Sequence, residues 1–476
     1  MIATFISGKD KKEVFFNSPT LISDLMLHAG IDFNFPCSAK GICGKCKIKV
    51  FNGVSPVTKE ETNLLNPHEI KGGFRLACCT FANNSLTIEY NIEDICCQEF
   101  IYNIFDDKSF FSQNDKYILA YDIGTTTLEF KIKKLGESND IFYFSLPNPQ
   151  RKFGDNVISR IDYAKKHGAN ELHECVRKPF EIISEKINVE KAVVTGNTTM
   201  LHFFNKLSTD SMAAFPFTPE SHFGFEENGI YFPNCVSSFV GADVLCGALK
   251  SKMIQNNNSL LVDIGTNGEM MFFSDGNFSC CSVAAGPAFE GYSVKNGVSA
   301  KDGAICKVYS KNGKIEYETI SGASPNGITG SGIIDSVSVL IDNEILREDG
   351  YLENDFRFDE SEVCITPKDI RNVQLAKAAI RAGIEMICEE RQVDKVYVAG
   401  NFGNALNIEN CIKIGLFPES FRGKSEFISN ASLDGALLLE NNEQRALIEE
   451  IASKCKCVEL AGNKKFSEKY IRYMNF

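Results

Sequence analysis

One short segment occurs twice in this chain, and the repeat limits the folds that the sequence can adopt. Residues 121–127 read Y-D-I-G-T-T-T, and residues 262–269 read V-D-I-G-T-N-G-E. Each copy is an apolar strand ending in Asp and a Gly-Thr turn, followed by a strand-like run at 128–132 or 270–273. Strand, glycine-containing turn and strand predict a β-hairpin. The chain is therefore predicted to contain two related hairpins.

Turns of this composition are suited to binding phosphate. Glycine lets backbone N–H groups come close to an anion, and the threonine hydroxyls add further donors. An Asp at the strand end, Asp122 or Asp263, can hold Mg²⁺ directly or through water. One such turn alone is more often only structural. Two copies, 141 residues apart, favour two facing hairpins that clamp a nucleoside triphosphate and its metal ion.

A second pair of related segments follows the first. Residues 191–199 read K-A-V-V-T-G-N-T-T, and residues 395–405 read K-V-Y-V-A-G-N-F-G-N-A. Both predict a buried strand, then Gly-Asn, then a helix capped by the Asn. With its two hairpins, the chain resembles the actin-like (ASKHA, ribonuclease-H-like) ATPases, whose α/β fold has two lobes. The resemblance implies that Asp122 and Asp263 are linked to Mg²⁺, and that Gly400 and Gly403 contact the nucleoside. The nucleotide-binding residues predicted in this way are Gly124, Thr125, Thr126, Gly265, Thr266, Asn267, Gly400, Asn401 and Gly403.

Four cysteines near the start of the chain have the spacing of an iron–sulfur site. Cys37, Cys43 and Cys46 form C-x5-C-x2-C on a glycine-containing loop, and Cys78 follows after 31 residues. Three cysteines on one loop and a distant fourth suit a [2Fe–2S] cluster. A zinc site usually has two C-x2-C pairs, and purely structural thiols are a third alternative. The segment resembles [2Fe–2S] ferredoxins, an α+β (β-grasp) fold. The motif R-L-A-C favours Cys78 over the adjacent Cys79 as the fourth ligand.

Composition excludes several classes of function. The net charge is −12 and the isoelectric point about 5.2, which argue against non-specific binding to nucleic acid. No apolar run approaches the ~20 residues of a membrane span, and charged residues interrupt the first 16 positions where a signal peptide needs an apolar core. We therefore expect a cytosolic protein, without a membrane partner, in which most of the 18 cysteines are reduced.

The predicted organisation has four parts. Residues 1–93 form a ferredoxin-like domain and residues 94–115 a linker. Residues 116–241 form the first actin-like lobe, and residues 242–476 form the second.

The order of motifs along the chain extends the resemblance to one family. The motifs are P-C-x5-C-G-K-C, R-L-A-C, D-I-G-T-T-T, G-D-x-V-I-S-R-I, T-G-N-T-T-M, V-G-A-D, D-I-G-T-N-G-E, A-G-P-A-F-E-G, G-I-T-G-S-G-I-I-D and A-G-N-F-G. In this order they resemble the reductive activators of corrinoid proteins. This chain differs from the family in one respect. Members of the family carry a middle domain between ferredoxin and ATPase, where this chain has only about 25 residues.

The family resemblance implies a function and its cofactors. With a [2Fe–2S] cluster, ATP and Mg²⁺, the protein would return Co(II) to Co(I) on a corrinoid protein of a methyltransferase system. An upstream electron donor would reduce the cluster, and a homodimer is compatible with the sequence. Asp263 is the first candidate for orienting the hydrolytic water, and Glu269 and Glu290 are further candidates beside the metal-linked Asp122.

Three alternatives remain open from the sequence. One is an ATP-gated electron donor to a different low-potential acceptor. Another is a redox protein in which nucleotide only regulates docking. The third is a small-molecule kinase, which gives no reason for a ferredoxin module.

Overall fold

The computed structural model describes most of the chain. The described residues are 1–7, 10–31, 33, 41, 46–50, 52–65, 67–90, 101–102, 105, 111–112, 114–137, 140–154, 156–291, 293–359, 361–389, 391–400 and 406–476. The linker predicted at 94–115 falls largely outside them.

The N-terminal part is a small mixed sheet with a helix packed on it. The sheet order is β2-β1-β7-β4-β5, in which β1 and β7 are parallel and the other neighbours antiparallel. The alternation of apolar and polar residues in β1 and β7 buries Ala3, Phe5, Leu86 and Ile88. Strands β1 and β2 form an antiparallel pair at the N-terminus. The elements are β1 Ile2–Ser7, β2 Asp10–Phe15, β3 Thr20–Leu21, α1 Ile22–His28, β4 Lys47–Lys49, α2 Lys59–Leu64, α3 Pro67–Lys71, β5 Phe74–Leu76, β6 Phe81–Ala82 and β7 Leu86–Glu89.

A second sheet contains the first repeated hairpin. Its order is β10-β9-β8-β11-β13-β12, with β11 parallel to both β8 and β13. The hairpin β8–β9 and the strand of the first Gly-Asn motif are therefore neighbours, and the predicted cap is confirmed because Asn197 accepts a bond from the Met200 N–H. The elements are β8 Tyr117–Ile123, β9 Thr127–Lys134, β10 Asp140–Pro147, α4 Val157–His167, α5 Asn170–Lys186, β11 Val189–Gly196, α6 Thr198–Phe204, β12 Phe225–Glu227, β13 Ile230–Phe232 and α7 Ala242–Ser251.

A third sheet repeats this topology in the second half. Its order is β23-β22-β14-β15-β16-β24, so the hairpin β14–β15 lies beside β22 as β8–β9 lies beside β11. The long helix α9 begins with a capping box in which Thr366 and Asp369 bond each other's backbone N–H. The elements are β14 Ser259–Ile264, β15 Gly268–Ser274, β16 Asn277–Val283, β17 Ala304–Lys311, β18 Lys314–Thr319, β19 Gly327–Ile328, α8 Gly330–Asp342, β20 Phe356–Arg357, β21 Cys364–Ile365, α9 Pro367–Cys388, β22 Lys395–Ala399, α10 Ile408–Lys413, β23 Ser425–Phe427, α11 Ala431–Leu438, α12 Asn442–Lys454, β24 Cys455–Cys457 and α13 Lys464–Arg472.

The two halves share an apolar core. Ala120 and Val193 of the second sheet belong to one buried cluster with Leu261 and Met271 of the third. Helix α11 closes onto α7 at Gly435, where a Cβ would come within 1.9 Å of the Cys246 carbonyl oxygen. Only glycine permits that approach. The helix that joins the halves is thereby fixed against the C-terminal part of the chain.

Candidate active site

Each repeated hairpin presents an Asp and a Glu side by side. In β8–β9 Asp122 is paired with Glu129, and in β14–β15 Asp263 is paired with Glu269. Directly paired residues point to the same face of a sheet. The same pocket is lined by both pairs and by both Gly-Thr turns, so the structure brings the two predicted phosphate loops together. The pocket contains about 800 Å³ of empty space, including its part open to solvent.

The two turns contact each other through their threonines. Thr126 Oγ1 and Thr266 Oγ1 are 2.8 Å apart, and the Thr126 hydroxyl donates to Glu290 Oε2 over 3.1 Å. The Thr266 hydroxyl also donates to Glu290 Oε2. Glu290 belongs to the short 3₁₀ turn Pro287–Glu290, within the motif A-G-P-A-F-E-G. One carboxylate therefore holds both hairpins.

Three side chains outside the repeat fix the first turn. Asn148 Nδ2 donates to the Gly124 carbonyl over 2.7 Å, and Asn197 Nδ2 donates to Thr125 Oγ1 over 3.0 Å. Arg160, which is fully buried, donates to the Thr125 carbonyl over 2.5 Å and to the Gly154 carbonyl over 2.9 Å. Asn148 and Arg160 were not predicted as site residues, and Asn197 was predicted only as a helix cap. Arg160 and Asn197 lie in the motifs G-D-x-V-I-S-R-I and T-G-N-T-T-M, and these motifs were the sequence signal that could have identified them as site residues.

A glycine follows the central strand of each half at an equivalent position. A Cβ on Gly196 would lie 2.6 Å from the Ile123 carbonyl oxygen, and one on Gly400 would lie 2.4 Å from the Ile264 carbonyl oxygen. Both have positive φ, +145° and +113°. Each glycine thus lets its strand end pack directly against the hairpin. Gly400 lines the pocket as predicted, whereas Asn401 and Gly403 lie outside the described residues.

Carboxyl groups dominate the pocket. Besides the two Asp–Glu pairs and Glu290, the pocket wall includes Asp243 at the start of α7. Asp243 and Glu129 were not predicted as site residues, although the motif V-G-A-D places an Asp at a helix start. The lining also includes Ser432, in the first turn of α11.

The crowding of these carboxyl groups changes their ionisation. Burial, and then the nearby Asp243, raises the pKa of Asp263 to about 7. Burial also raises the pKa of Asp243 to about 6. The pKa of Asp122 is raised well above its usual value by burial and by Asp243. Like charges held close together disfavour ionisation, so the pocket attracts a cation.

The cluster loop is described only in part. Cys46 and Cys78 are buried, and their Sγ atoms are 3.2 Å apart, although 31 residues separate them in the chain. Cys37 and Cys43 lie outside the described residues. Cys79 Sγ is 3.6 Å from Cys78 Sγ, and burial, with the neighbouring Cys78, raises the pKa of Cys79 to about 12. The ligand set, with Cys78 rather than Cys79, stays a prediction.

A buried ion pair holds the strand that leads into Cys78. Arg75 Nη2 lies 2.7 Å from Glu61 Oε2, and the Leu76 N–H and the Thr80 hydroxyl also donate to Glu61. Burial by itself would raise the pKa of Glu61, but the bonds from Arg75 and the backbone hold it at about 2. The motif R-L-A-C therefore has a structural basis, since its Arg anchors the segment from within the domain.

Comparison with known proteins finds three family models that together match most of this chain. Residues 5–83 match the 2Fe-2S iron-sulfur cluster binding domain, residues 117–256 the RACo middle region, and residues 257–476 the C-terminal domain of RACo, the ASKHA domain. The corrinoid activation enzyme RamQ of Eubacterium limosum is 30% identical, over 76% of this chain and 71% of that protein. The chain belongs to the reductive activators of corrinoid proteins.

Two further relatives of this activator agree with that assignment. The [Co(II) methylated amine-specific corrinoid protein] reductase of Methanosarcina barkeri is 25% identical, over 76% of this chain and 77% of that protein. A solved structure titled reductive activator for corrinoid,iron-sulfur protein superimposes with a TM-score of 0.69 at 26% identity, covering 100% of this chain and 98% of that one.

The family assignment confirms the predicted fold class, a ferredoxin-like domain followed by an actin-like ATPase domain. The middle-region match at 117–256 covers the residues that the sequence analysis gave to the first lobe and the start of the second. The expectation that this chain lacks the family's middle domain is therefore wrong, because the middle region is matched at residues 117–256. The domain boundaries themselves stay predictions. Among the described residues, no helix is long and apolar enough to cross a membrane.

Proposed function

We propose that this activator transfers an electron to the Co(II) form of a corrinoid protein and uses ATP to make that transfer favourable. The observation that carries the proposal is the meeting of the two Asp-Ile-Gly-Thr hairpins at one carboxylate-lined pocket, in a chain that also brings Cys46 and Cys78 together. A [2Fe–2S] cluster bound by Cys37, Cys43, Cys46 and Cys78 would supply the electron. An upstream one-electron donor would restore it.

The pocket is suited to a magnesium–nucleotide complex. Asp122 Oδ1 is buried and has no hydrogen-bond partner among the described residues, and an oxygen left in this way is available to a cation. No group of three metal-binding side chains is arranged around one point in the described part of the chain. This agrees with Mg²⁺, which is usually held by one or two carboxylates while phosphate oxygens and water complete its shell. Asp122 and Asp263 are the two residues that we assign to it.

The hairpins supply the contacts for the phosphates. Residues 124–126 and 265–267 line the pocket, and the hydroxyls of Thr126 and Thr266 lie between the two turns. In the present arrangement these hydroxyls are bonded to each other and to Glu290. A triphosphate between the turns would replace those bonds, so nucleotide binding would change how the two halves contact each other. Gly400, Asn401 and Gly403 would contact the nucleoside.

That change of contacts is the proposed link between ATP and electron transfer. Plant-type [2Fe–2S] centres have potentials near −400 mV, and reduction of Co(II) to Co(I) requires a lower one. ATP shifts such an equilibrium only if it binds one state of the activator–partner complex more tightly than another. The hairpin contact would differ between nucleotide-free and nucleotide-bound states, and we assign the preference to this difference.

Asp263 is the proposed group for orienting the attacking water. Its carboxyl group lines the pocket at the end of the strand that leads into the second Gly-Thr turn. Glu269 stands directly across the hairpin from it, and Glu290 is occupied by the two threonine hydroxyls. We therefore place Asp263 first, Glu269 second, and give Glu290 a role in holding the turns.

The proposal is tested by following cobalt reduction directly. The anaerobic protein is reduced with dithionite, separated from excess reductant and mixed with a Co(II) corrinoid protein, with and without Mg-ATP. We expect the absorbance of Co(I) to appear only with Mg-ATP. Asp263→Asn should abolish the ATP effect while leaving the cluster spectrum unchanged, and Cys46→Ser should abolish reduction while leaving ATP hydrolysis. ATP hydrolysis without any Co(I), tested with several corrinoid proteins, would assign the electron to another acceptor.

A further inference from the structure

Three cysteines outside the cluster loop meet at the edge of the third sheet. Cys280 lies on β16, and Cys455 and Cys457 lie on the neighbouring parallel strand β24. Cys280 is paired directly with Cys457 in the register of the two strands. Cys455 and Cys457 are two residues apart on one strand, so their side chains share the face toward Cys280. Adjacent strands lie about 4.8 Å apart, which is within the Cα–Cα range that a disulfide can span.

The thiols of this trio interact, although none is in a disulfide. Interaction with Cys455 and Cys457, and then burial, raises the pKa of Cys280 well above its usual value. The pKa of Cys457 is shifted in the opposite direction. The bond from Cys280, and one from Ser237, lower this pKa to about 7. Cys280 is fully buried, whereas Cys455 and Cys457 are partly exposed. A small reagent can therefore reach Cys457 and not Cys280.

The trio also contacts the connection between the two halves. The Ser237 hydroxyl, which interacts with Cys457, accepts bonds from the Phe239 N–H over 3.4 Å and the Val240 N–H over 3.2 Å. These bonds shape the turn that ends at Gly241 and leads into α7, whose first turn carries Asp243 of the pocket. The carbonyl of Ser237 accepts a bond from Thr198, at the start of α6. Cys457 thus interacts directly with Ser237, which belongs to the segment that positions Asp243.

We propose that Cys280, Cys455 and Cys457 form an oxidisable thiol site that reacts with low-molecular-weight disulfides, and that its oxidation slows the hydrolysis of ATP. In the described part of the chain, no group of three cysteine, histidine or acidic side chains is placed to hold a metal ion. We therefore assign thiol–disulfide exchange, and not metal binding, to these three cysteines. The second half of this proposal, the slower hydrolysis of ATP, rests on the proposed function.

The reaction is an exchange in two steps. The thiolate of Cys457 attacks one sulfur of the small disulfide, forms a mixed disulfide and releases one small thiolate. The thiolate of Cys280 then attacks the Cys457 sulfur and releases the second small thiol. One small disulfide is consumed and one protein disulfide is formed. The two protons of the protein thiols are transferred to the two small thiols. The protein loses two electrons to the small disulfide. Cys455, on the same face, is the alternative second thiol.

Oxidation would remove the bond between Cys457 and Ser237. A sulfur held in a bond to Cys280 no longer carries the charge that the Ser237 hydroxyl stabilises. The turn from Ser237 to Gly241 then loses one of its anchors, and Asp243 moves with the turn. An effect of about fivefold on ATP hydrolysis is expected, which is the lower end of typical coupling between two sites.

The test uses the full-length protein with its cluster, kept anaerobic and treated with a series of ratios of oxidised to reduced glutathione. Free thiols are alkylated, the protein is digested, and peptides that contain residues 280, 455 and 457 are identified by mass spectrometry. ATP hydrolysis and the visible absorbance of the cluster are measured on the same samples. Cys457→Ala removes the reactive thiol. Cys306→Ser is the matched control, because Cys306 is a partly exposed cysteine whose thiol donates to the Glu318 carbonyl.

We expect a peptide pair joined by a disulfide at Cys457, a fall in ATP hydrolysis with the cluster absorbance unchanged, and recovery on adding dithiothreitol. Cys457→Ala also lacks the bond to Ser237, so it should start from a lower rate of ATP hydrolysis and show no further fall on oxidation. Cys306→Ser should behave as the unaltered protein. The proposal is overturned if Cys457 stays free at ratios that modify Cys306, or if the disulfide forms and ATP hydrolysis does not change. A reduced protein that hydrolyses no ATP would overturn the proposed function instead, and the peptide map would still decide the thiol chemistry.

Discussion

Thr126 of the first repeated hairpin and Thr266 of the second lie in the two Gly-Thr turns, and their hydroxyl oxygens are 2.8 Å apart. Both also donate to Glu290, so a single carboxylate joins two segments that are 140 residues apart in the chain. The two halves of the ATPase part therefore meet at the atoms that we assign to phosphate binding. A ligand at this point acts on both halves at once.

Replacing Thr266 by Val removes one of the hydroxyls between the hairpins and keeps the size of the side chain. A neutral hydrogen bond contributes about 1 kcal/mol, so we expect roughly fivefold weaker binding of Mg-ATP. The measurement is isothermal titration of the protein with a non-hydrolysable ATP analogue. Thr87→Val, at an exposed threonine of β7, is the matched control and should bind as the unaltered protein. Equal affinities in the two variants would place the triphosphate elsewhere.

Gly400→Ala tests whether the second Gly-Asn segment has to approach the hairpin closely. The added Cβ would lie 2.4 Å from the Ile264 carbonyl oxygen, so the end of β22 must move away from Asp263. We expect a lower melting temperature, by a destabilisation on the order of 1–3 kcal/mol, and weaker nucleotide binding. Gly462→Ala is the control, because Gly462 also has positive φ, +71°, but a Cβ there would meet nothing within 4 Å. Similar losses in both variants would mean that backbone strain, and not the contact, causes the effect.

The carboxyl group of Asp263 is expected to lower the free energy of unfolding of the protein, although it serves catalysis. In the unfolded chain an Asp titrates near ~3.9, whereas burial raises the pKa of Asp263 to about 7. Between these pH values the folded state binds more protons, so the free energy of unfolding falls as the pH rises. Asp263→Asn should therefore stabilise the nucleotide-free protein at pH 8, by on the order of 1–2 kcal/mol, and should abolish ATP hydrolysis.

Urea unfolding at pH 5 and pH 8, followed by circular dichroism, measures this difference. Asp162→Asn, at an exposed position of α4, should change neither stability nor hydrolysis. A variant at position 263 that is less stable than the unaltered protein at pH 8 would show that the carboxylate is compensated by a partner.

Glu61→Gln should weaken the cluster-binding domain. The Gln leaves Arg75 buried without its counter-charge, and breaking a buried pair in this way costs on the order of 3–5 kcal/mol. The cluster absorbance should then be lost at lower urea concentration than in the unaltered protein. Glu60→Gln, one residue away on the exposed side of α2, is the control and should change the midpoint little.

The same pair gives a pH dependence. The pKa of Glu61 is held at about 2 in the folded domain, below its value of ~4.3 in an unfolded chain. Its contribution to stability is complete above that unfolded value and is lost as the pH falls toward 2. The cluster of the unaltered protein should become sensitive to urea over that acid range, and Glu61→Gln should show a smaller change.

The sequence by itself determined the elements and the type of each site. The repeats D-I-G-T and G-N predicted two hairpins and two strand–helix units, because short periodic patterns and glycine turns depend on local backbone preferences. The spacing of Cys37, Cys43, Cys46 and Cys78 predicted the kind of cofactor in the same way, since a loop geometry is encoded by neighbouring residues.

Only the tertiary structure decided which distant side chains act together. Arg160, Asn148 and Asn197 reach the first hairpin from three separate segments, and Asp243 enters the pocket from the connecting helix. The trio Cys280, Cys455 and Cys457 likewise exists only because β16 and β24 pair. Contacts of this kind come from the packing of the sheets on one shared core. A local motif can mark such a residue, as for Arg160, Asn197 and Asp243, but it does not say which distant residue the side chain contacts, because that depends on its neighbours in space.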